Sequence, residues 1–210
     1  MSKYKILPER LFISGTDTGI GKTVVSSVLV RGLQAGYWKP VQAGMEPQTD
    51  TEFVQRVTQL ENSHFYRESY KLKTPMSPHA AAAREGIKIS LDKIKEPHYK
   101  QKHLIIEGAG GLIVPLNDKE TMIDLIKKMD IPVLLVVKSG LGTLNHTLLS
   151  LQALRHRDIP VFGIVMNGEP HESNEEAIRN FGDINNIYRL NRLEKLNSST
   201  LESAYNQIFN

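Results

Sequence analysis

The sequence predicts an α/β protein with a mainly parallel sheet and helices on both of its faces. Four short apolar runs are continuous and rich in Ile and Val, which is typical of strands buried on both faces. These runs alternate with longer segments of helical pattern, as expected for a parallel sheet. A glycine-rich segment at residues 15–23 follows the first run and opens the first helical segment.

The elements follow one another in a regular order. The predicted strands are Leu11–Ser14, Tyr37–Gln42 (the weakest of the set), His103–Glu107, Pro132–Val137 and Val161–Met166. The predicted helices are Lys22–Gln34, Asp50–Leu60, Met122–Lys128, Thr143–Arg155, Glu172–Asn180 and Ser199–Ile208. The least regular stretch, Glu61–Ser90, is expected to carry loops over a site. Because no linker or repeat divides the chain, we expect residues 1–210 to form a single domain.

The composition excludes several classes of protein. Apolar residues make up 40% and charged residues 23% of the chain, as in soluble globular proteins. No run of five Lys or Arg residues occurs, so no nucleic-acid partner is expected. Cysteine is absent, which excludes disulfides, thiolate metal sites and a cysteine nucleophile. The start, Met1–Leu11, lacks an apolar core of signal-peptide length, and Ile131–Val137 is too short to span a bilayer, so we expect a cytoplasmic protein without a membrane partner.

The glycine-rich segment GTDTGIGKT, Gly15–Thr23, resembles a phosphate-binding loop. The strict pattern has four residues between the two glycines, whereas five separate Gly15 from Gly21. A simple turn would explain the glycines but not a Gly-Lys-Thr at a helix start, where backbone N–H groups and the helix dipole attract anions. Lys22 would reach the outer phosphates and the Thr23 hydroxyl would bind Mg²⁺. We therefore predict a P-loop NTPase-like fold.

Ligands of such sheets bind at the carboxyl ends of the strands, so the residues there are candidates for function. Lys39 is either a solvated lysine or a second cation at the phosphate site, and Glu107 is a candidate Mg²⁺ partner. Asp50 alone is typical of a helix N-cap. Asn167 suits either a contact to a base edge or a turn. The segment KSGLGTLNH, residues 138–146, is either a capped helix start or an anion site for a substrate carboxylate.

Several segments together resemble one enzyme family, the dethiobiotin synthetases. They occur in the family's order: GTDTGIGKT, GYWKPVQAG, TPMSPHAAA, IIEGAGG, GLGTLNH and the turn at Asn167. The resemblance runs from Leu11 to Asn167, and the family's GTDTxxGKT form accounts for the extra loop residue. It implies a homodimeric cyclo-ligase of biotin biosynthesis that joins ATP, CO₂ and 7,8-diaminononanoate with Mg²⁺. A carbamate of the diamine would attack the γ-phosphate, and the second amine would then close the ureido ring and expel phosphate.

The resemblance also implies a role for each matching residue. Lys22 and Lys39 would be catalytic, and Thr23, Asp50 and Glu107 would hold Mg²⁺. The implied ATP-binding residues are Gly19, Ile20, Gly21, Lys22, Thr23, Val24, Asp50, Glu107, Gly108, Ala109, Gly110 and Asn167. The implied substrate-binding residues are Ala43, Gly140, Leu141, Gly142, Thr143 and Asn145; the loop Gly140–Asn145 would receive the substrate carboxylate near the subunit interface.

The chain departs from the family in several places. Ala43 stands where the family carries a hydroxyl residue, and Gln42 or a water would have to replace that hydroxyl. The family's C-terminal nucleotide loop has only a weak candidate, Tyr188–Leu193. The short segment before Lys39 predicts an abbreviated second strand.

Two other classes share parts of the pattern. Partitioning ATPases, which are nucleotide switches, often carry an additional lysine near the start of the loop, and Ser14–Thr16 contains none. Amide-forming synthetases of the cobyrinic acid type carry a glutaminase domain with a cysteine nucleophile, which this chain lacks.

Overall fold

The computed structural model describes residues 7–209. Residues 1–6 and Asn210 lie outside the described residues, and so does most of the start for which no signal-peptide core is predicted. The strands are β1 (Arg10–Gly15), β2 (Gly36–Trp38), β3 (Val41–Ala43), β4 (Phe65–Tyr66), β5 (Tyr70–Leu72), β6 (Leu104–Gly111), β7 (Val133–Lys138), β8 (Val161–Asn167) and β9 (Ile187–Leu190). The helices are α1 (Lys22–Leu33), α2 (Asp50–Thr58), α3 (Pro78–Arg84), α4 (Met122–Met129), α5 (Thr143–His156), α6 (Glu172–Gly182) and α7 (Ser198–Phe209).

A seven-stranded sheet forms the centre of the fold, in the order β4-β2-β6-β1-β7-β8-β9. Every neighbouring pair in it is parallel. The chain builds outward from β1 to β2, returns to β6 beside β1, and then crosses to β7 on the other side of β1. This change of direction marks the switch point where α/β sheets bind ligands, at the carboxyl ends of β1 and β6.

The strands bury alternate residues against two separate helical layers. Phe12 and Ile106 belong to a core formed with α3, α4, α5 and α6. Ile13 and Ile105 belong to a second core, formed with α1, α2 and α7. Both faces are thus apolar, which is why the strands show continuous rather than alternating hydrophobicity. The predicted parallel sheet with helices on both faces is confirmed.

All six predicted helices are present, and their ends differ from the predicted ones by two residues at most. The unpredicted helix α3 has the sequence PHAAAAR, whose alanine run carries no apolar periodicity. The irregular stretch Glu61–Ser90 also holds the short strands β4 and β5. The weak loop candidate Tyr188–Leu193 was wrong in its first part, because residues up to Leu190 belong to edge strand β9. No helix in the described part of the chain is long and apolar enough to cross a membrane.

The prediction of one strand over Tyr37–Gln42 was wrong. β2 pairs with β4 and β6 in the large sheet, whereas β3 pairs with β5 in a separate two-stranded sheet. Pro40 lies between them and has no N–H to donate, so it interrupts the ladder. The expected shortening of the second strand is confirmed, since β2 has three residues. As a result, Lys39 leaves the sheet at its carboxyl edge.

Candidate active site

A cavity with a volume of about 790 Å³ lies at the carboxyl edge of the sheet. This volume falls within the range of about 300–1,000 Å³ that is common for ligand pockets. Eleven of the sequence-predicted site residues line it: Gly19, Gly21, Lys22, Thr23, Val24, Lys39, Ala43, Asp50, Glu107, Ala109 and Gly110. Pro47, Phe53, Pro75, Met76 and Val114 add an apolar wall that the sequence analysis did not identify.

The glycine-rich loop forms one end of this cavity. Gly19 and Gly21 have φ angles of 72° and 98°, a left-handed conformation that glycine adopts without steric penalty. Helix α1 begins directly afterwards at Lys22. The Lys22 side chain is buried and its Nζ donates to the Asp17 carbonyl at 2.9 Å, so it folds back over the loop. The loop therefore combines a tight glycine turn, a helix N-terminus and a lysine side chain, which are the components of a phosphate site.

Four polar side chains meet beside the loop. Lys39 Nζ lies 2.6 Å from Asp50 Oδ2 and 3.0 Å from Glu107 Oε1. The Thr23 hydroxyl lies 2.8 Å from Asp50 Oδ1 and 2.9 Å from Glu107 Oε1. These residues come from four distant segments of the chain. The structure thus places Lys39, which was predicted as catalytic, in contact with Asp50 and Glu107, which were predicted as metal ligands. Lys39 is not a solvated lysine, because only 4% of it is exposed.

The alternation of β6 places Glu107 in this cluster. Glu107 lies two residues after Ile105, so its side chain emerges on the same face of the sheet, toward α1 and α2. Thr23 belongs to the first turn of α1, and Asp50 is the first residue of α2. β6 itself continues to Gly111, so the expectation that Glu107 ends the strand was wrong.

The interpretation of Asp50 as an N-cap was also wrong, since the cap is Thr49. Thr49 accepts a hydrogen bond from the Glu52 N–H, and the Glu52 carboxylate accepts one from the Thr49 N–H. Asp50, one residue later, keeps its carboxylate for Thr23 and Lys39. The Gln42 side chain accepts from the Asp50 N–H at 3.3 Å and donates to the Gly44 carbonyl at 2.7 Å. Gln42 therefore supports the loop.

The ion pairs set the charges of the cluster. Burial lowers the pKa of Lys39, but the charges of Glu107 and Asp50 and hydrogen bonds to both outweigh it, so the pKa is raised from its ordinary value. Burial raises the pKa of Asp50, yet the Lys39 charge and its hydrogen bond lower it overall. In contrast, burial lowers the pKa of Lys22 below its ordinary value, despite the opposing charge of Glu107. The cluster thus holds a firmly charged Lys39 between two carboxylates.

The oxygen atoms of this cluster suit a magnesium ion. Mg²⁺ takes oxygen ligands and is usually held by one or two carboxylates together with substrate phosphates. Asp50, Glu107 and the hydroxyl of Thr23 offer such a set next to the phosphate loop. In residues 7–209, no group of three or more His, Cys, Asp or Glu residues forms an all-protein metal cage. The donor set therefore fits an ion that is shared with a bound phosphate.

The remaining predicted site residues lie outside the cavity. Asn167, at the end of β8, donates from Nδ2 to the Ile20 carbonyl at 2.7 Å, and a Cβ atom at Gly21 would overlap its amide. Gly108 packs against Phe12 on the opposite face of the sheet.

The predicted substrate-carboxylate loop also lies away from the main cavity. This loop, Gly140–Asn145, leads into α5 and contains the fully exposed Leu141. Further along α5, residues line a second groove of about 380 Å³ on the other side of the phosphate loop. Ile113 and Leu149 line this groove and are 60% and 55% exposed. None of the loop's residues lines the main cavity.

One residue in contact with the cluster was missed. Tyr37 is fully buried, and its hydroxyl donates to Glu107 Oε2 at 3.0 Å. Its position two residues before Lys39 is a usable sequence signal, because alternate residues of a strand share a face. The sequence pattern alone, however, presented it as part of an apolar strand.

Fold and site together define a P-loop-type nucleotide-binding protein of the α/β class. A family model described as an AAA domain matches residues 9–200. Solved structures of similar fold include a ParA family ATPase from Chlorobium tepidum TLS, with a TM-score of 0.58, 12% identity and coverage of 94% of this chain and 97% of that one. A nucleotide-binding protein in complex with ADP from Archaeoglobus fulgidus has a TM-score of 0.53 at 12% identity, with coverage of 93% and 86%. At this level of identity the two structures establish the fold only.

Curated relatives define the family more closely. The ATP-dependent dethiobiotin synthetase BioD of Agrobacterium fabrum is 45% identical over 96% of this chain and 94% of its own length. The protein of the same name from Brucella ovis is 45% identical over 95% and 94%. The chain belongs to the ATP-dependent dethiobiotin synthetase family, and the predicted resemblance is confirmed.

Proposed function

We propose that this chain forms the ureido ring of dethiobiotin from 7,8-diaminononanoate, CO₂ and ATP, with Mg²⁺, as a step of biotin biosynthesis. The observation that carries the assignment of roles is the position of Lys39. It lies between Asp50 and Glu107, beside the phosphate loop, in the cavity that Ala43 also lines. A cation at this point would be adjacent to both the terminal phosphate and the carbamate, which are the groups on which negative charge would develop.

The residues divide the work between the nucleotide and the substrate. Lys22 and the start of α1 bind the phosphates, and Lys39 stabilises the transferring phosphoryl group and the carbamate oxygen. Thr23, Asp50 and Glu107 would hold Mg²⁺, which would neutralise phosphate charge. The apolar wall of Pro75, Met76 and Val114 suits the hydrocarbon part of the diamine and excludes water from the reactive anhydride. No side-chain nucleophile is needed, because the substrate's own carbamate and amine attack.

Asn167 supplies the adenine contact in this proposal. Its Nδ2 donates to the Ile20 carbonyl, so the amide orientation is fixed and Oδ1 remains as an acceptor. An acceptor can receive a hydrogen bond from the exocyclic amino group of adenine. It would face the carbonyl that guanine carries at the same position, and two acceptors cannot form a hydrogen bond. The preference for ATP therefore follows from one hydrogen bond to the phosphate loop.

A homodimer completes the site in this proposal. The loop Gly140–Asn145 lies outside its own chain's main cavity, and the exposed Ile113 and Leu149 form an apolar surface beside it. A second copy that covers this surface would bring the loop, with its helix start, near the far end of the diamine. The loop would then receive the substrate carboxylate across the interface.

The test is phosphate release from MgATP with and without 7,8-diaminononanoate and bicarbonate, together with detection of dethiobiotin. Release that requires both co-substrates supports the proposal. Release that is indifferent to both would refute it and would favour a nucleotide switch.

A further inference from the structure

Tyr37 and Glu107 meet through the register of two parallel strands. Tyr37 pairs with Ile105, and Trp38 pairs with Ile106. Glu107 therefore follows Ile105 by two residues on the face that Tyr37 shares, one step toward the carboxyl edge. The tyrosine ring spans this step, and its hydroxyl reaches Glu107 Oε2 at 3.0 Å.

The two oxygens of the Glu107 carboxylate therefore have different hydrogen-bond partners. Oε1 accepts from Thr23 Oγ1 at 2.9 Å and from Lys39 Nζ at 3.0 Å, on the side of the cavity. Oε2 accepts from Tyr37 on the side of the core. The terminal torsion of a glutamate is broad and roughly two-fold, so the carboxylate plane is not fixed by its own rotamer preference. The Tyr37 hydrogen bond fixes which oxygen faces the metal-binding residues.

Water cannot replace the Tyr37 hydroxyl as the donor to Glu107. Its side chain is fully buried and Glu107 is 1% exposed, so bulk water does not reach the bond. A phenol carries its proton at neutral pH, so the Tyr37 hydroxyl is the donor to the Glu107 carboxylate. A buried tyrosine with a purely structural role commonly donates its hydroxyl to a backbone carbonyl. The partner of Tyr37 is instead the carboxylate of the candidate metal ligand Glu107.

We propose that Tyr37 is a positioning residue, whose hydroxyl orients the Glu107 carboxylate for Mg²⁺ bound with ATP. The inference rests on the proposed function, because it takes Glu107 as a metal ligand. Partners that orient metal ligands typically contribute 10–100-fold to metal affinity or activity. Tyr37→Phe should therefore weaken Mg²⁺ binding in the presence of ATP about tenfold and leave metal-free ATP binding unchanged.

The experiment measures the Mg²⁺ dependence of ATP binding by calorimetry, in the parent chain first. Absence of Mg²⁺-dependent binding there would contradict the proposed function itself. Tyr66→Phe is the matched control, because Tyr66 lies on β4, the strand next to β2, and its hydroxyl donates to Gln101, which does not line the cavity. The expected result is a shifted Mg²⁺ midpoint in Tyr37→Phe only, with a thermal midpoint similar to that of Tyr66→Phe. Equal Mg²⁺ midpoints in the two variants would overturn the inference while the proposed function stands.

A second pair of variants separates the hydrogen bond from packing. At position 37, 4-aminophenylalanine keeps a donor, whereas 4-fluorophenylalanine fills similar space without one. The amino variant should bind Mg²⁺ within about threefold of the parent, and the fluoro variant should show the tenfold loss. Equal affinities would contradict the proposal. Failure of both donor-free variants to fold would also contradict it, because the hydroxyl would then be needed for folding rather than for metal binding.

Discussion

Replacement of Lys39 by methionine tests the charge balance of the site. Lys39→Met keeps most of the buried stem and removes only the ammonium. Asp50 and Glu107 then face each other without the cation that lies 2.6 and 3.0 Å from them. We expect a less stable chain that has lost turnover, and that Mg²⁺ stabilises more strongly than it stabilises the parent.

The magnitude follows from the distances and the exposure. At an effective dielectric constant of about 20, each ion pair amounts to roughly 6 kcal/mol of Coulomb energy, most of which offsets desolvation. Removing one partner of a buried pair typically costs about 3–5 kcal/mol. The lower end applies here, because the Asp50 side chain is 31% exposed and can be rehydrated, and Glu107 keeps two hydroxyl donors. About 3 kcal/mol corresponds to a decrease of roughly 6–12 °C in Tm for a chain of this size.

Thermal unfolding with and without MgCl₂ is the assay. An ammonium about 4 Å from a dication repels it by roughly 2 kcal/mol even in water, so its removal should tighten Mg²⁺ binding about tenfold or more. The control is Lys22→Met, since the Lys22 Nζ donates to the Asp17 carbonyl at 2.9 Å and burial lowers the pKa of this lysine. Lys22→Met should change Tm little. The reasoning is refuted if Lys39→Met is as stable as the parent and both gain the same Tm from Mg²⁺.

Three further predictions concern single contacts. Ala43→Thr should lower the KM for 7,8-diaminononanoate about fivefold, which is the value of one net hydrogen bond. Steady-state kinetics should show an unchanged KM for ATP. An unchanged KM for the diamine would count against a role for the missing hydroxyl. Asn167→Ala should weaken both ATP and inorganic triphosphate in calorimetry, because it releases the Ile20 carbonyl; a loss confined to ATP would limit Asn167 to the base. Asp50 has a lowered pKa, so its contribution to stability is present above its unfolded pKa and is lost as pH falls through the folded pKa. Urea unfolding between about pH 2 and pH 6 should therefore show a shallower acid loss in Asp50→Asn, and parallel curves would exclude that contribution.

The predictable part of this fold is the part whose signal is local. The strands next to β1 are continuous apolar runs, and helices such as α1 and α5 combine periodicity with a glycine just before the start, so pattern alone located them. The edge strands β4 and β9 have two and four residues, too few for a period to be visible. They form because neighbouring strands offer unpaired backbone groups, which is information from the rest of the sheet.

The candidate site divides in the same way. Lys22 and Thr23 could be assigned from their spacing, because a phosphate loop and a helix start are contiguous in sequence. Lys39 allowed two interpretations, since its burial depends on Asp50 and Glu107, which lie elsewhere in the chain. The sequence pattern favours Asp50 as the cap because Asp and Thr have similar side-chain chemistry at a helix start, and only the backbone conformation decides which residue caps.

The short strand β2 shows how strongly register fixes this site. Tyr37 and Lys39 are two residues apart and bind the two oxygens of one carboxylate, Tyr37 at Oε2 and Lys39 at Oε1. A shift of one residue in the pairing of β2 with β6 would turn both side chains to the opposite face and leave Glu107 with Thr23 alone. The ladder ends at Trp38, and Pro40, two residues later, has no N–H to donate, so the strand cannot extend in the forward direction to accommodate such a shift. The position of one proline thus determines where β2 ends and, with it, where Lys39 places its charge in the candidate site.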